Sequence, residues 1–122
     1  MTKLEIKEEL SKYYIACKKC EHLKERIERL KSNKVLESEI TERIEELNNQ
    51  LKNSVLEADS SLAIVLELIS LLDDTDGDGE LLKLYHINGY SEKKIARQLN
   101  YTTDYIRIKR WRAYEKLSKK KA

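Results

Sequence analysis

Residues 89–117 read GYSEKKIARQLNYTTDYIRIKRWRAYEKL, and the punctuation of this stretch decides what the C-terminal part of the chain can be. Asn88-Gly89 stops any helix that precedes it, because both residues suit a left-handed backbone. Ser91 is a good N-cap for a following helix that carries Ile95, Ala96 and Leu99. Asn100-Tyr101 interrupts that helix, and Asn tolerates the left-handed turn. Thr102 or Thr103 then caps a longer helix running to about Lys119, with Ile106, Ala113 and Leu117 facing inward. Upstream, Glu80 to Ile87 supplies one more helix through Leu81, Leu82, Leu84 and Tyr85. Residues 80–122 therefore read as a small three-helix unit.

Before this unit lies DDTDGDG, residues 73–79, which holds two of the three glycines of the chain. It reads as an acidic linker, with Asp78 or Gly79 able to cap the next helix. Residues 1–72 read as two long helices. The first runs from about Lys3 to Lys31 behind a Thr2 cap, with a narrow seam of Ile6, Leu10, Tyr13, Cys17, Cys20, Leu23, Ile27 and Leu30. Steps alternating between four and three are those of a coiled coil. A break is expected at Ser32-Asn33-Lys34. The second helix runs from about Leu36 to Leu72 on Leu36, Ile40, Ile44, Leu47, Leu51, Val55, Ala58, Leu62, Val65, Ile69 and Leu72. At 1.5 Å per residue each spans roughly 40–55 Å, and the short connection favours an antiparallel pair. The expected fold is all-α: a long N-terminal antiparallel helical hairpin (coiled coil), then a small three-helix helix-turn-helix domain. Two helices bury little core, and residues 62–72 are apolar on several sides. A homodimer through the N-terminal helices is therefore expected.

Composition agrees. The 122 residues include no Pro and no Phe, and 38% are charged. Recurrence of Leu, Ile and Val at helical spacing separates this from a disordered polyampholyte. No apolar run approaches the roughly 20 residues of a membrane span. MTKLEIKEEL has no apolar segment of a secretory signal. With two cysteines, this suggests a cytoplasmic protein with free thiols. The net charge of +2 hides a polarity: residues 80–122 carry twelve Lys/Arg against four Asp/Glu, a net of +8, leaving −6 for residues 1–79. A basic C-terminal unit beside an acidic hairpin points to a polyanion-binding part and a part with another task.

Gly89 to Leu117 resembles the promoter-reading C-terminal domain (region 4) of bacterial sigma factors. That domain reads roughly G-[hydrophobic]-S-x-x-E-I-A-x-x-L-G-[hydrophobic]-S-x-x-x-V-x-x-x-x-x-R-A-x-x-x-L. Gly89, Tyr90, Ser91, Ile95, Ala96, Leu99, Tyr101, Thr102, Ile106, Arg112, Ala113 and Leu117 fit it without a gap, over about a quarter of the chain. The sequence departs from it with Lys94 in place of Glu, Lys109 at an often apolar position and Trp111 for a small residue. A helical hairpin ahead of such a reader is similar to short phage and prophage regulators of late transcription. No segment resembles the promoter-melting region of a full sigma factor.

The resemblance implies a sequence-specific transcription regulator whose partners are double-stranded DNA and RNA polymerase. It places Thr103, Asp104, Tyr105, Arg107 and Ile108 toward base edges, with Arg107 suited to bidentate pairing with guanine. Lys93, Lys94, Arg97, Lys109, Arg110 and Arg112 are then phosphate contacts. Two other classes also fit the layout. One is a phage DNA-packaging protein of small-terminase type, in which the helix-turn-helix usually comes first. The other is a coiled-coil interaction protein.

Other signals read as bland. Cys17-Lys-Lys-Cys20 with His22 is half a zinc site, and both thiols lie on the apolar seam. Asp74-x-Asp76-x-Asp78-Gly79 matches the start of a calcium loop, but position twelve is Tyr85, where the loop needs a bidentate Glu. No Ser, Cys or carboxylate accompanies His22 or His86 in a catalytic motif. No enzyme activity, cofactor or metal is expected.

Overall fold

The computed structural model describes residues 1–32 and 37–122, apart from the side chains of Glu37 and Asp74. Asn33 and Lys34, expected at the helical break, and Leu36, expected to open the second helix, lie outside the described residues. Elements follow in the order α1 (Lys3–Ser32), α2 (Glu37–Ser70), a 3₁₀ turn (Asp74–Asp76), α3 (Asp78–Leu82), a π-helical turn (Lys83–Ile87), α4 (Glu92–Leu99) and α5 (Thr103–Lys120). The fold is all-α, with a long N-terminal helix pair followed by shorter helices.

Thr2 caps α1 as its sequence suggests. Its hydroxyl accepts from the Glu5 amide at 3.2 Å, while the Glu5 carboxylate accepts from the Thr2 amide at 3.2 Å. This reciprocal box satisfies two amides that a helix start leaves orphaned. α1 and α2 run antiparallel. Leu23 and Ile27 pack with Leu47 near the connected end, and Ile6 and Leu10 pack with Val65, Leu68, Ile69 and Leu72 near the open end.

In the middle of the hairpin the seam is displaced by one residue from the expected one. Ala16 is buried while Cys17 is half-buried, and Ser54 is buried while Val55 is 41% exposed. The displacement is local: Cys20, Leu23 and Ile27 further along α1, and Ala58, Val65 and Ile69 further along α2, are buried at their expected positions.

The C-terminal helices close the open end. Leu82, Ala113, Tyr114 and Leu117 join Ile6, Leu10 and the end of α2 in one cluster. The hairpin and the C-terminal unit thus share a core. Tyr114 is fully buried, an inward position that the apolar spacing of the sequence did not reveal.

Residues 73–79, expected to be a linker, form a structured corner. The Asp73 carboxylate accepts from the Thr75 amide at 3.2 Å, and the Asp76 carboxylate accepts from the Asp78 amide at 3.1 Å. Gly77 turns the chain at φ 77°, in the left-handed region open to glycine. Asp78 is 1% exposed and is gripped by Lys109 and Lys116 of α5 at 2.7 and 2.6 Å. Pairing across the fold, invisible to composition, turns an acidic solvated-looking run into a clasp.

Candidate nucleic-acid interface

The geometry of α4 and α5 is fixed by local chemistry. The Ser91 hydroxyl accepts from the Lys94 amide at 3.1 Å and starts α4. Asn100 ends it at φ 62°, the single non-glycine residue with positive φ among the described residues. The Tyr101 amide then reaches back to the Ala96 carbonyl at 2.9 Å, closing a left-handed C-cap. The Thr102 hydroxyl accepts from the Tyr105 amide at 3.1 Å and starts α5. The turn between the helices is three residues long, Asn100 to Thr102. Leu81, Leu84, Ile95, Ala96 and Ile106 form the core beneath it, flanked by Tyr85, Tyr90 and Leu99.

α5 accordingly has two parts with different surroundings. Its second half is sunk into the shared core through Ala113, Tyr114 and Leu117. Its first half is held only along the Ile106 side, and the rest of its surface faces outward. The structure brings the five expected base-facing residues onto this first half: Asp104, Tyr105, Arg107 and Ile108 are exposed and Thr103 is half-buried. Tyr101 and Tyr105 stack at the tip, their ring centroids 4.6 Å apart. Lys93, Lys94 and Arg97 of α4 and Arg112 of α5 are exposed, with the Lys94 ammonium 3.8 Å from the centre of the Tyr90 ring.

Two expected phosphate contacts are placed elsewhere. The Lys109 side chain is 13% exposed, paired with Asp78 and donating to the Asp76 carbonyl at 2.6 Å. Arg110 is 5% exposed. Its guanidinium donates to the Tyr114 hydroxyl at 3.1 Å, lies 3.5 Å from a Glu92 oxygen and sits over the Tyr85 ring at 4.4 Å. These groups replace part of the water that an arginine at an inward position of α5 loses, while its buried Nε makes no hydrogen bond.

This buried network continues to His86, whose Nε2 lies 2.6 Å from the Tyr114 hydroxyl oxygen. Burial foremost, then the charges of Arg110 and Lys7, push His86 down to about 4. Its ring is therefore neutral near pH 7. Arg110 can only donate, so the Tyr114 proton is free to serve an unprotonated Nε2. Burial pushes the Tyr114 phenol up to about 12, keeping that proton in place. The sequence does not single out Glu92, His86 and Tyr114 as polar site residues, because nothing in the spacing of positions 86, 92, 110 and 114 brings them together before the chain folds.

Glu92 touches the exposed face as well. Its second carboxylate oxygen is 3.6 Å from Arg107 Nε, and on the other side Asp104 lies 3.6 Å from Arg107 Nη1.

The bland motifs have definite placements. Cys17 and Cys20 are free thiols on the hairpin, half-buried and buried. Asp76 and Asp78, read as the start of a calcium loop, both hold the Lys116 ammonium. Among the described residues no group of three or more His, Cys, Asp or Glu could hold a metal ion. Among them also, no helix is long and apolar enough to cross a membrane.

No family model, curated protein or solved structure matches this chain.

Proposed function

We propose that the chain is a sequence-specific, duplex-DNA-binding transcription regulator that inserts the first half of α5 into the major groove. One observation carries this reading. The hairpin packs on the second half of α5 and leaves the first half uncovered, where Arg107, Tyr105 and Ile108 are exposed, as are Lys93, Lys94, Arg97 and Arg112. A helix start that is polar and open, set on a buried core by a short turn, has the shape a major groove admits. The resemblance of residues 89–117 to sigma region 4 supports the same face and adds RNA polymerase as a partner. By that resemblance, the chain is a phage or prophage accessory factor.

In this reading Arg107 discriminates bases, and the flanking cations set register and affinity through phosphates. The acidic hairpin takes no part in DNA contact and serves for self-association, giving a homodimer with two readers. Selection of bound duplexes from a random pool tests the reading directly. Enrichment of a defined sequence supports it, and recovery of an unenriched pool overturns it.

A further inference from the structure

We propose that Glu92 is a positioning residue for Arg107 and that, together with Asp104, it makes this guanidinium selective for a base edge over a phosphate. The proposal rests on the DNA-reading function above and names which groups set its specificity.

Glu92 stands at the first position of α4, with a side chain 19% exposed. One oxygen is anchored toward Arg110, which is fixed in turn by Tyr114 and Tyr85. The other oxygen is buried, accepts no hydrogen bond and faces Arg107 Nε at 3.6 Å. Asp104 approaches the same guanidinium at 3.6 Å from the solvent side, its side chain 88% exposed. At such distances the contacts steer the guanidinium without consuming its donors, since an N–H···O bond needs about 2.7–3.2 Å.

Two consequences follow from charge and order. First, two carboxylates offset the positive charge of Arg107, so a phosphate of any sequence is attracted less. Non-specific binding is dominated by that attraction, whereas a bidentate pair with guanine depends on donor geometry. Second, a side chain already confined loses less freedom when it docks. Both effects raise the ratio of specific to non-specific binding, and specificity is that ratio.

The experiment measures affinity for a duplex selected by the wild-type chain and for a random duplex of equal length, at fixed salt. With Glu92→Gln the ratio is expected to drop about tenfold, mainly through tighter random binding, because the lost charge and lost orientation act on opposite sides of it. Asp104→Asn, at a position too exposed to threaten folding, is expected to lower the ratio in the same direction by a smaller factor. In an Arg107→Ala background neither substitution should change the ratio, which isolates the coupling. A purely structural role for Glu92 would weaken both duplexes alike. An unchanged ratio in both variants, or a change that persists without Arg107, overturns the proposal. If the wild-type chain binds no duplex at all, the DNA-reading function falls and this proposal with it; if it binds with an unaltered ratio, only this proposal falls.

Discussion

The Asp78 carboxylate at the start of α3 is almost wholly buried and lies 2.7 Å from Lys109 Nζ, so that a residue of the corner after the hairpin fixes the middle of α5. Lys116 adds a second ammonium at 2.6 Å and also reaches Asp76. This clasp sets the rotation of α5 about its axis, and with it the residues that face outward. Removing one partner of a buried ion pair strands the other. Asp78→Ala should therefore cost about 3–5 kcal/mol in urea unfolding. Asp78→Asn, which keeps the shape and part of the bonding, should cost less. Equal stability of Asp78→Ala and the wild-type chain would show that the clasp does not hold α5.

Acid should weaken the fold in two windows. Hydrogen bonding from Lys116, then from the Asp78 amide, holds Asp76 down at about 2, against 3.8 unperturbed. Its contribution is present above pH 3.8 and is lost as pH falls through about 2. His86 acts at higher pH. Its folded value of about 4 lies below the unfolded 6.5, so between those values the unfolded chain takes up a proton that the folded chain does not. Stability should thus be full above pH 6.5, fall as pH drops toward 4 and level off below, by about 3 kcal/mol for a shift of this size. His86→Gln retains an acceptor for Tyr114 and removes the titration, so its stability should vary less between pH 7 and 4. Parallel pH profiles of the two proteins would remove His86 from this account.

The parts of this arrangement that are local could be read from the sequence. Ser91 and Thr102 announce helix starts by their own hydroxyls, and Asn100 announces a left-handed stop by what its backbone tolerates. Ile95, Ala96 and Ile106 declare a buried side by spacing. What spacing misses is partnership. Asp78 looked like linker because its partner Lys116 lies 38 residues further on. Arg110 looked like a surface cation because Glu92 and Tyr114, which make its burial tolerable, are known only in three dimensions. The Cys17 and Val55 displacements are local: burial passes to the neighbours Ala16 and Ser54, while Cys20 and Ala58 three residues further on keep the expected seam.

The proposed self-association would use exposed apolar side chains of α2. On the outer side of α2, Leu56 is 58% exposed and Ile64 and Leu66 are each 44% exposed. α1 covers the opposite side of this helix, through Ile6 and Leu10 against Val65 and Ile69. Leu56 points away from α1, and Ile64 and Leu66 lie on either flank of Leu56 around the helix; apolar side chains left in water there would favour a second copy. The double substitution Leu56→Glu, Ile64→Glu places charge there without entering the shared core. It should convert a dimer to a monomer in sedimentation while leaving helical content unchanged. A wild-type chain that sediments as a monomer at high concentration would exclude the dimer.

The corrected placement of the cations separates three kinds of arginine, and binding can tell them apart. If α5 reads DNA as proposed, Arg107→Ala should lose about 1–3 kcal/mol of preference for a selected duplex, because base discrimination would go with its guanidinium. Arg112→Ala, exposed and outside the base-facing set, should weaken selected and random duplexes alike and make the salt slope shallower by about one. Arg110→Met should act on folding before binding, since its guanidinium is buried against Tyr114, Tyr85 and Glu92. With Lys109 and Arg110 engaged inside the fold, Lys93, Lys94, Arg97 and Arg112 remain for phosphates. Four such contacts give a slope of log affinity against log salt near −4 per reader, at about −0.9 for each phosphate neutralised. A slope steeper by about two units would point to Lys109 and Arg110 leaving their buried partners on binding, with the clasp through Asp78 opening as DNA enters.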